Sequence, residues 1–148
     1  MDTYEHLRVN ASDMAEALES HLDEGAWVVD LESGEVILAA YGESIDDDAE
    51  GEDAEPWEES GRYLEIRPIE SHEGFQIMED FVEELPEGEG CRALDRALRL
   101  PRPFRCFKDT LADFPDLRER WFKYHHGRML VLAQEWLDEH LPGAHLEI

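Results

Sequence analysis

The amino-acid sequence predicts an α+β fold, in which a small antiparallel sheet of three or four strands packs on a helical bundle with a long C-terminal helix. Three observations indicate this. Apolar residues alternate with a period of two within 26–38 and 62–69. They recur at helical spacing from residue 71 onward. The chain has 148 residues, 42% of them hydrophobic, which is enough for one core. We therefore expect residues 1–148 to form a single domain.

The first predicted element is an amphipathic helix over about 11–22. Asn10 is a favourable N-cap residue, because its side chain can accept a hydrogen bond from a backbone N–H of the first turn. Apolar residues recur every four positions at Met14, Leu18 and Leu22. This spacing places them on one face of the helix, which we expect to pack on the core.

A β-hairpin and a third strand are predicted next. Apolar alternation over 26–31 and 36–38 indicates two strands, and Gly34 between them can supply the positive φ that a tight turn needs. A third strand over 62–69 is expected to pair antiparallel with the hairpin. Pro68 marks its end or an edge position, since proline cannot donate to a strand ladder.

Residues 43–60, between the hairpin and the third strand, differ in composition from their surroundings. Ten of these 18 positions are acidic, and none is basic. So few apolar side chains offer little burial to offset the conformational entropy of ordering. We therefore predict a flexible acidic loop at about 43–60.

The second half of the chain is predicted to be helical. Proline and glycine separate the helices, and Pro115 suits a first helical turn because its missing N–H costs little there. The last helix is apolar on two stripes and is expected to lie at the centre, with Trp121, Leu132 and Trp136 largely buried. Residues 144–148 are a stub of strand or a frayed tail. The predicted helices span 71–85, 90–99, 104–111 and 116–140.

Charge is strongly segregated along the sequence. The chain carries 38 acidic and 13 basic residues, a formal net charge of −25. Residues 1–60 hold 20 of the acids and one basic residue, Arg8, whereas residues 92–128 hold ten basic residues and five acids. Such asymmetry bears on partners and solubility, because the summed field steers association. A surface this acidic is also typical of salt-adapted proteins, which need no specific partner to explain it.

The cysteines and the chain start indicate a cytoplasmic protein. Cys91 and Cys106 have neither a C-x-x-C spacing nor a Cys/His cluster near them, which favours free thiols in a reducing compartment. Residues 1–10 contain several charged side chains where a secretory leader would have an apolar run. No apolar stretch approaches the length of a membrane span. We expect no membrane association.

Three blocks resemble a known family. They are Trp27-Val28-Val29-Asp30-Leu31-Glu32-Ser33-Gly34-Glu35-Val36, then Arg62-Tyr63-Leu64-Glu65-Ile66 running on to residues 78–82, and then Phe104-Arg105-Cys106-Phe107-Lys108-Asp109 running on to Trp121-Phe122. Their order and spacing over residues 26–139 are similar to the bacterial grouping called uncharacterised protein family 0158. The resemblance implies a bacterial cytoplasmic protein and supplies no catalytic residue. The acid density of 43–60 departs from the family pattern, so a family-wide function is not assigned to that loop.

Motifs for metal binding and catalysis are incomplete. Residues 46–51 match the first half of a calcium loop, but Trp57 stands where a bidentate glutamate should be. His125 and His126 are adjacent on a predicted helix and point about 100° apart, so they cannot share a metal ion. No nucleophile context, phosphate-binding loop or dinucleotide fingerprint is present. The sequence favours a non-enzyme with no cofactor and no metal, although an unrecognised enzyme stays open as a third reading.

Two binding hypotheses follow from charge. In the first, the acidic loop engages a basic protein partner through six acids: Asp46, Asp47, Asp48, Glu50, Glu52 and Asp53. In the alternative, residues 92–128 bind nucleic acid through a basic face. Internal pairing with acids such as Glu79, Asp80, Glu83 and Glu84 would compete with that alternative, and a net charge of −25 repels phosphate. The basic face comprises Arg92, Arg96, Arg99, Arg105 and Lys108.

Overall fold

The computed structural model describes residues 3–45 and 55–147, and contacts divide the chain into two compact units. We call residues 1–68 with 129–148 the sheet unit, and residues 69–128 the helical unit. That both form one domain stays a prediction. The fold is α+β, as predicted. Its elements are β1 (Arg8–Asn10), α1 (Ala11–Glu19), β2 (Gly25–Asp30), β3 (Val36–Ala40), α2 (Trp57–Ser60), β4 (Tyr63–Ile66), α3 (Ser71–Glu84), α4 (Glu89–Leu98), α5 (Pro103–Leu111), α6 (Pro115–His140) and β5 (His145–Glu147).

The sheet unit contains the predicted three-stranded antiparallel sheet. The strand order is β3-β2-β4, and Val28 in the central strand pairs with Ile37 on one side and Glu65 on the other. Gly34 in the hairpin turn has a φ of 81°, as the sequence predicts. A Cβ at Gly34 would also collide with the backbone of Arg8, so both conformation and space favour glycine there.

Helix α2, at the C-terminal end of the predicted acidic loop, packs on one face of this sheet. Trp57 in α2 is only 3% exposed and forms a cluster with Ala26, Val28 and Ala39. The predicted loop over 43–60 therefore differs from the structure at its C-terminal end, because burial of a single indole offsets the cost of ordering one helical turn. Residues 46–54, where the acids are densest, lie outside the described residues.

A second, smaller sheet joins the two chain ends of the sheet unit. β1 and β5 pair in parallel, with Val9 opposite Leu146. The stub of strand expected over 144–148 is present as β5. The sequence analysis did not predict β1, because three residues are too few to show alternation.

Helix α6 has one buried stripe where the sequence predicted two. Trp121 is 8% exposed, which confirms its predicted burial. The predictions for Leu132 and Trp136 were wrong in degree, since both are only partly buried, and Phe122 is 53% exposed. Packing on one side selects residues spaced by four or eight along a helix. The buried positions are Trp121, Met129, Ala133 and Leu137.

The core of the helical unit is aromatic. The ring of Trp121 packs edge-on against Phe107 and Phe81, with centroid distances of 4.9 and 5.3 Å. Tyr124 packs against Phe81 at 5.4 Å. Edge-to-face contacts of this kind add stabilisation beyond the buried area alone. Phe107 and Trp121 are therefore core residues.

One ion pair joins the hairpin to β4 in the sheet unit. Asp30 is 4% exposed, and Arg62 donates from Nε to Oδ1 at 3.1 Å and from Nη2 to Oδ2 at 2.9 Å. The backbone N–H of Glu32 also donates to Oδ1, at 2.8 Å. Burial by itself would raise the pKa of Asp30, but the hydrogen bonds from Arg62 and Glu32 outweigh it and hold that pKa below its ordinary value.

Candidate binding surfaces

The charge segregation of the sequence coincides with the division into two units. The sheet unit carries 25 acidic residues and three arginines, a formal charge of −22. The helical unit carries 13 acidic and ten basic residues, a formal charge of −3. Two of the three arginines in the sheet unit are paired with carboxylates: Arg62 with Asp30, and Arg8 with Glu147 at 3.8 Å. With three arginines for 25 acids, this unit cannot offset most of its negative charge with its own cations.

The acidic segment, which we define as residues 46–54, is closed at its base. The backbone N–H of Trp57 donates to the carbonyl of Glu43 at 3.0 Å. The backbone N–H of Gly42 donates to the two carboxylate oxygens of Glu58, at 3.0 and 3.2 Å. The chain thus leaves β3 and returns to α2 at the same place. The six acidic residues assigned to partner binding, Asp46, Asp47, Asp48, Glu50, Glu52 and Asp53, lie within this segment and outside the described residues.

Two aromatic side chains hold this base. The indole N–H of Trp57 donates to the carbonyl of Ala40 at 2.9 Å, and its ring stacks on Tyr41 with centroids 6.0 Å apart. The hydroxyl of Tyr41 donates to Glu65 at 2.7 Å, and this bond raises the pKa of Tyr41 because ionisation would break it. Sequence reasoning missed both residues. The available signal was a lone tryptophan inside an otherwise polar stretch.

The described rim of the acidic segment is also acidic. Glu43 precedes the segment, and Glu55, Glu58 and Glu59 follow it, all of them exposed. No basic residue occurs between Arg8 and Arg62 in the sequence. A ligand approaching this base therefore meets a high density of negative charge, which favours a cationic partner.

The basic face lies on α4 and α5 of the helical unit. Its five residues are all exposed, and Arg99 and Arg105 pair with acids one turn away, at 3.3 Å to Asp95 and 4.0 Å to Asp109. Within 3–45 and 55–147, no ion pair or hydrogen bond involves the side chains of Arg92, Arg96 and Lys108.

Among the α3 acids expected to pair with the basic face, Asp80 pairs instead with Arg128. Asp80 accepts a hydrogen bond from Arg128 at 2.9 Å, and bonds from Gln76 and Arg128 lower its pKa. Arg128 lies outside the basic face as we defined it. Arg92 and Arg96 are therefore available to an external ligand in the described structure.

The surroundings of the basic face are mixed in chemistry. Arg96 and Arg99 line an open depression together with the apolar side chains of Leu100 and Phe114. Glu89 and Asp113 line the same depression. Carboxylates beside the arginines weaken the attraction of this surface for phosphate, since like charges repel the ligand.

Some aromatics near the basic face are exposed. Phe104 is 41% exposed, and Phe122 is exposed with the guanidinium of Arg118 5.3 Å from its ring centroid. Both lie at helix surfaces where the buried stripe is already filled by Phe107 and Trp121.

Comparison with known proteins identifies the family. The family model described as "Uncharacterised protein family (UPF0158)" matches residues 5–142. The chain belongs to this family. It is 32% identical over 111 residues to a UPF0158 protein of Pseudomonas aeruginosa, an alignment that covers 75% of this chain and 70% of the relative. No solved structure matches the chain. The resemblance inferred from the three sequence blocks is thereby confirmed.

The described residues of this UPF0158 protein contain no group of three or more His, Cys, Asp or Glu side chains that could hold a metal ion. His125 stacks on Trp121 at 5.0 Å and His126 is exposed, so the two imidazoles point in different directions, as predicted. Cys91 and Cys106 are free thiols. The partial calcium motif over 46–51 lies outside the described residues. Within the described ranges, no helix is long and apolar enough to cross a membrane.

Proposed function

We propose that this UPF0158 protein is a non-catalytic binding protein of the bacterial cytoplasm, and that its sheet unit engages a basic protein partner. The observation that carries the proposal is the formal charge of −22 in the sheet unit, together with the closed base that the residues on either side of the acidic segment form. Complementary charge speeds encounter and suppresses wrong partners, which is how an acidic surface gains specificity.

A catalytic role is less well supported. In the described residues, the carboxylates with shifted pKa values are Asp30, which pairs with Arg62 in the sheet unit, and Asp80, which pairs with Arg128 in the helical unit. Catalytic sites bring such groups together in one cleft, whereas ion pairs that stabilise structure are scattered. Within each unit, the described residues hold one such carboxylate, and it belongs to an ion pair, which fits the second pattern.

The proposal is tested by comparing two variants of equal charge. The first replaces Asp46, Asp47, Asp48, Glu50, Glu52 and Asp53 by their amides. The second replaces six exposed acids elsewhere in the sheet unit by theirs: Glu5, Glu16, Asp23, Glu24, Glu135 and Glu139. Binding of a short arginine-rich peptide is measured by calorimetry. We expect the first variant to lose about tenfold more affinity than the second, a difference of about 1.4 kcal/mol.

Equal losses in the two variants would contradict the proposal. Such a result would mean that net charge alone attracts the peptide, as on a salt-adapted surface without a dedicated site. Binding should also weaken as salt rises, because the screening length falls from about 10 Å at 0.1 M to about 3 Å at 1 M.

Nucleic-acid binding is the second candidate, and the unpaired Arg92, Arg96 and Lys108 favour it. Titration of labelled DNA across a salt series measures it directly. We expect no retention of DNA at about 150 mM salt, because the chain is strongly anionic overall. Submicromolar binding at that salt, lost on charge reversal of Arg92, Arg96 and Arg99, would overturn our preference for a protein partner. In that case the salt slope should be about −0.9 per phosphate contacted.

A matched control for this titration is charge reversal at Arg118, Arg120 and Lys123, three exposed residues of α6 in the same unit. If α4 carries a phosphate-binding face, charge reversal at Arg92, Arg96 and Arg99 should weaken DNA binding more than this control does. Equal weakening would indicate attraction by diffuse positive charge.

A further inference from the structure

The two edges of the three-stranded sheet differ in how they are protected. Natural proteins guard exposed strand edges with charged residues and proline, because unpaired backbone groups attract other strands. β4 carries Glu65 within the strand, with Arg67 and Pro68 directly after it. β3, at the other edge, reads Val-Ile-Leu-Ala-Ala and has no charged residue. In a chain with 34% charged residues, β3 is therefore the unguarded edge.

The backbone of β3 offers free hydrogen-bonding groups at this edge. The N–H of Asp30 donates to the carbonyl of Glu35 at 2.9 Å, and the N–H of Tyr41 donates to that of Glu24 at 3.1 Å. Since the ladder has a period of two, the residues at even positions between them direct their N–H and C=O groups away from β2. These are Val36, Leu38 and Ala40.

Among the described residues, hydrogen-bond partners are found for the last of these positions. The carbonyl of Ala40 accepts the indole N–H of Trp57. Within 3–45 and 55–147, the backbone groups of Val36 and Leu38 that face outward have no hydrogen-bond partner. The side chain of Leu38 is 57% exposed, so this part of the strand is open to solvent.

We propose that β3 is a docking edge, to which an extended basic segment of the partner adds as a fourth strand. This inference rests on the proposed function and specifies how the partner binds. Strand addition of this kind draws affinity from main-chain hydrogen bonds, while the side chains give specificity. Val36 and Leu38 supply the main-chain groups, and the exposed side chain of Leu38 supplies an apolar contact for the residue opposite it in the incoming strand.

The charges around β3 select a basic strand over a second copy of this chain. Glu35 directly precedes the strand, Glu43 follows it, and the acidic segment begins at Asp46. Antiparallel pairing of two β3 strands would bring each copy's Glu35 close to the other copy's Glu43 end. Like charges opposite one another destabilise a strand pair, whereas arginine or lysine in the added strand would face these acids.

Two peptides of equal charge test the inference. One alternates arginine with valine and can form a strand; the other has the same sequence with every backbone nitrogen methylated, so it has no N–H to donate to a ladder. Calorimetry with the full chain is expected to show about tenfold tighter binding of the unmethylated peptide. In Leu38→Pro that advantage should disappear, because the outward N–H is removed while the ladder between β2 and β3 keeps its bonds. Leu38→Thr, which keeps the N–H, should retain it.

Hydrogen exchange provides a readout that needs no substitution. On binding of the unmethylated peptide, the amides of Val36 and Leu38 should become protected, while those of Tyr63 and Glu65, which face outward on β4, should not. If the Leu38→Pro variant does not fold, hydrogen exchange on the unsubstituted chain still tests the inference.

The outcomes separate the two proposals. Equal affinity for both peptides, with no protection at Val36 and Leu38, would overturn strand addition and leave charge-based binding standing. Absence of binding to either peptide would overturn both. If the free chain dimerised in a salt-dependent way, with protection of the same two amides, the strand added to β3 would be that of a second copy. This result would contradict a basic partner at this edge.

Discussion

Replacing Trp121 with alanine is expected to reduce the free energy of unfolding by about 3–5 kcal/mol, the usual cost of truncating a buried tryptophan. Trp121 contacts Phe81 and Phe107 edge-on at the centre of the helical unit, and collapse around the missing indole would be incomplete. A loss of this size is a large share of the 5–15 kcal/mol typical of a domain. Circular dichroism during chemical denaturation measures it.

Phe122→Ala is the matched control, because Phe122 is the next residue of α6 and is exposed. We expect a change below about 1 kcal/mol for it. If Trp121→Ala unfolded at the same denaturant concentration as the unsubstituted chain, the aromatic core described for the helical unit would be incorrect.

Replacing Asp30 with alanine is expected to cost about 2–3 kcal/mol. Breaking a fully buried ion pair costs about 3–5 kcal/mol, but here the side chain of Arg62 is 40% exposed to water and already pairs with Glu32 at 3.2 Å. The remaining cost comes from the backbone N–H of Glu32, which loses its acceptor, and from the link between the hairpin and β4. Glu32→Gln, at a side chain that is 71% exposed, should change stability little.

The pH dependence of this ion pair has a defined sign. Because the pKa of Asp30 is lowered on folding, the unfolded chain binds the proton more readily. The stability that Asp30 contributes is therefore fully present above the unfolded pKa of about 3.9 and is lost as the pH falls below it. The difference in unfolding free energy between the unsubstituted chain and Asp30→Asn should shrink over that range. A difference that stayed constant or grew would contradict the assignment.

Elements with a strong local signal could be predicted from the sequence. The hairpin was recognisable because Gly34 falls between two alternating runs, and α3 to α5 because proline or glycine separates apolar positions at helical spacing. Charge segregation was visible by counting. The structure adds that it follows the boundary between the two units.

Features that depend on distant contacts could not be predicted in the same way. Trp57 lies in an acidic stretch and is buried only because the sheet presents Ala26, Val28 and Ala39 to it. β1 forms only by pairing with β5. Arg8 pairs with His145, which lies 137 positions later in the sequence. Which stripe of α6 is buried depends on the side from which other elements pack, and periodicity alone does not give this side.

The candidate site was predicted in part. Composition marked the acidic residues and the basic face, but the closed base formed by Glu43, Trp57 and Glu58 required the fold. The unguarded edge of β3 was also missed. Its signal, five uncharged residues next to the most acidic part of the chain, becomes meaningful only once β3 is known to be an edge strand.

The most direct test of the central claim, that the sheet unit binds a basic protein through its acidic segment, is an affinity pull-down from the source lysate at low and high salt. The bait is the full chain, compared with the two equal-charge variants described above. We predict that a basic protein elutes with salt, is retained by the variant neutralised outside residues 46–54, and is lost from the variant neutralised within them. Retention of the same protein by both variants, or at high salt, would contradict the claim.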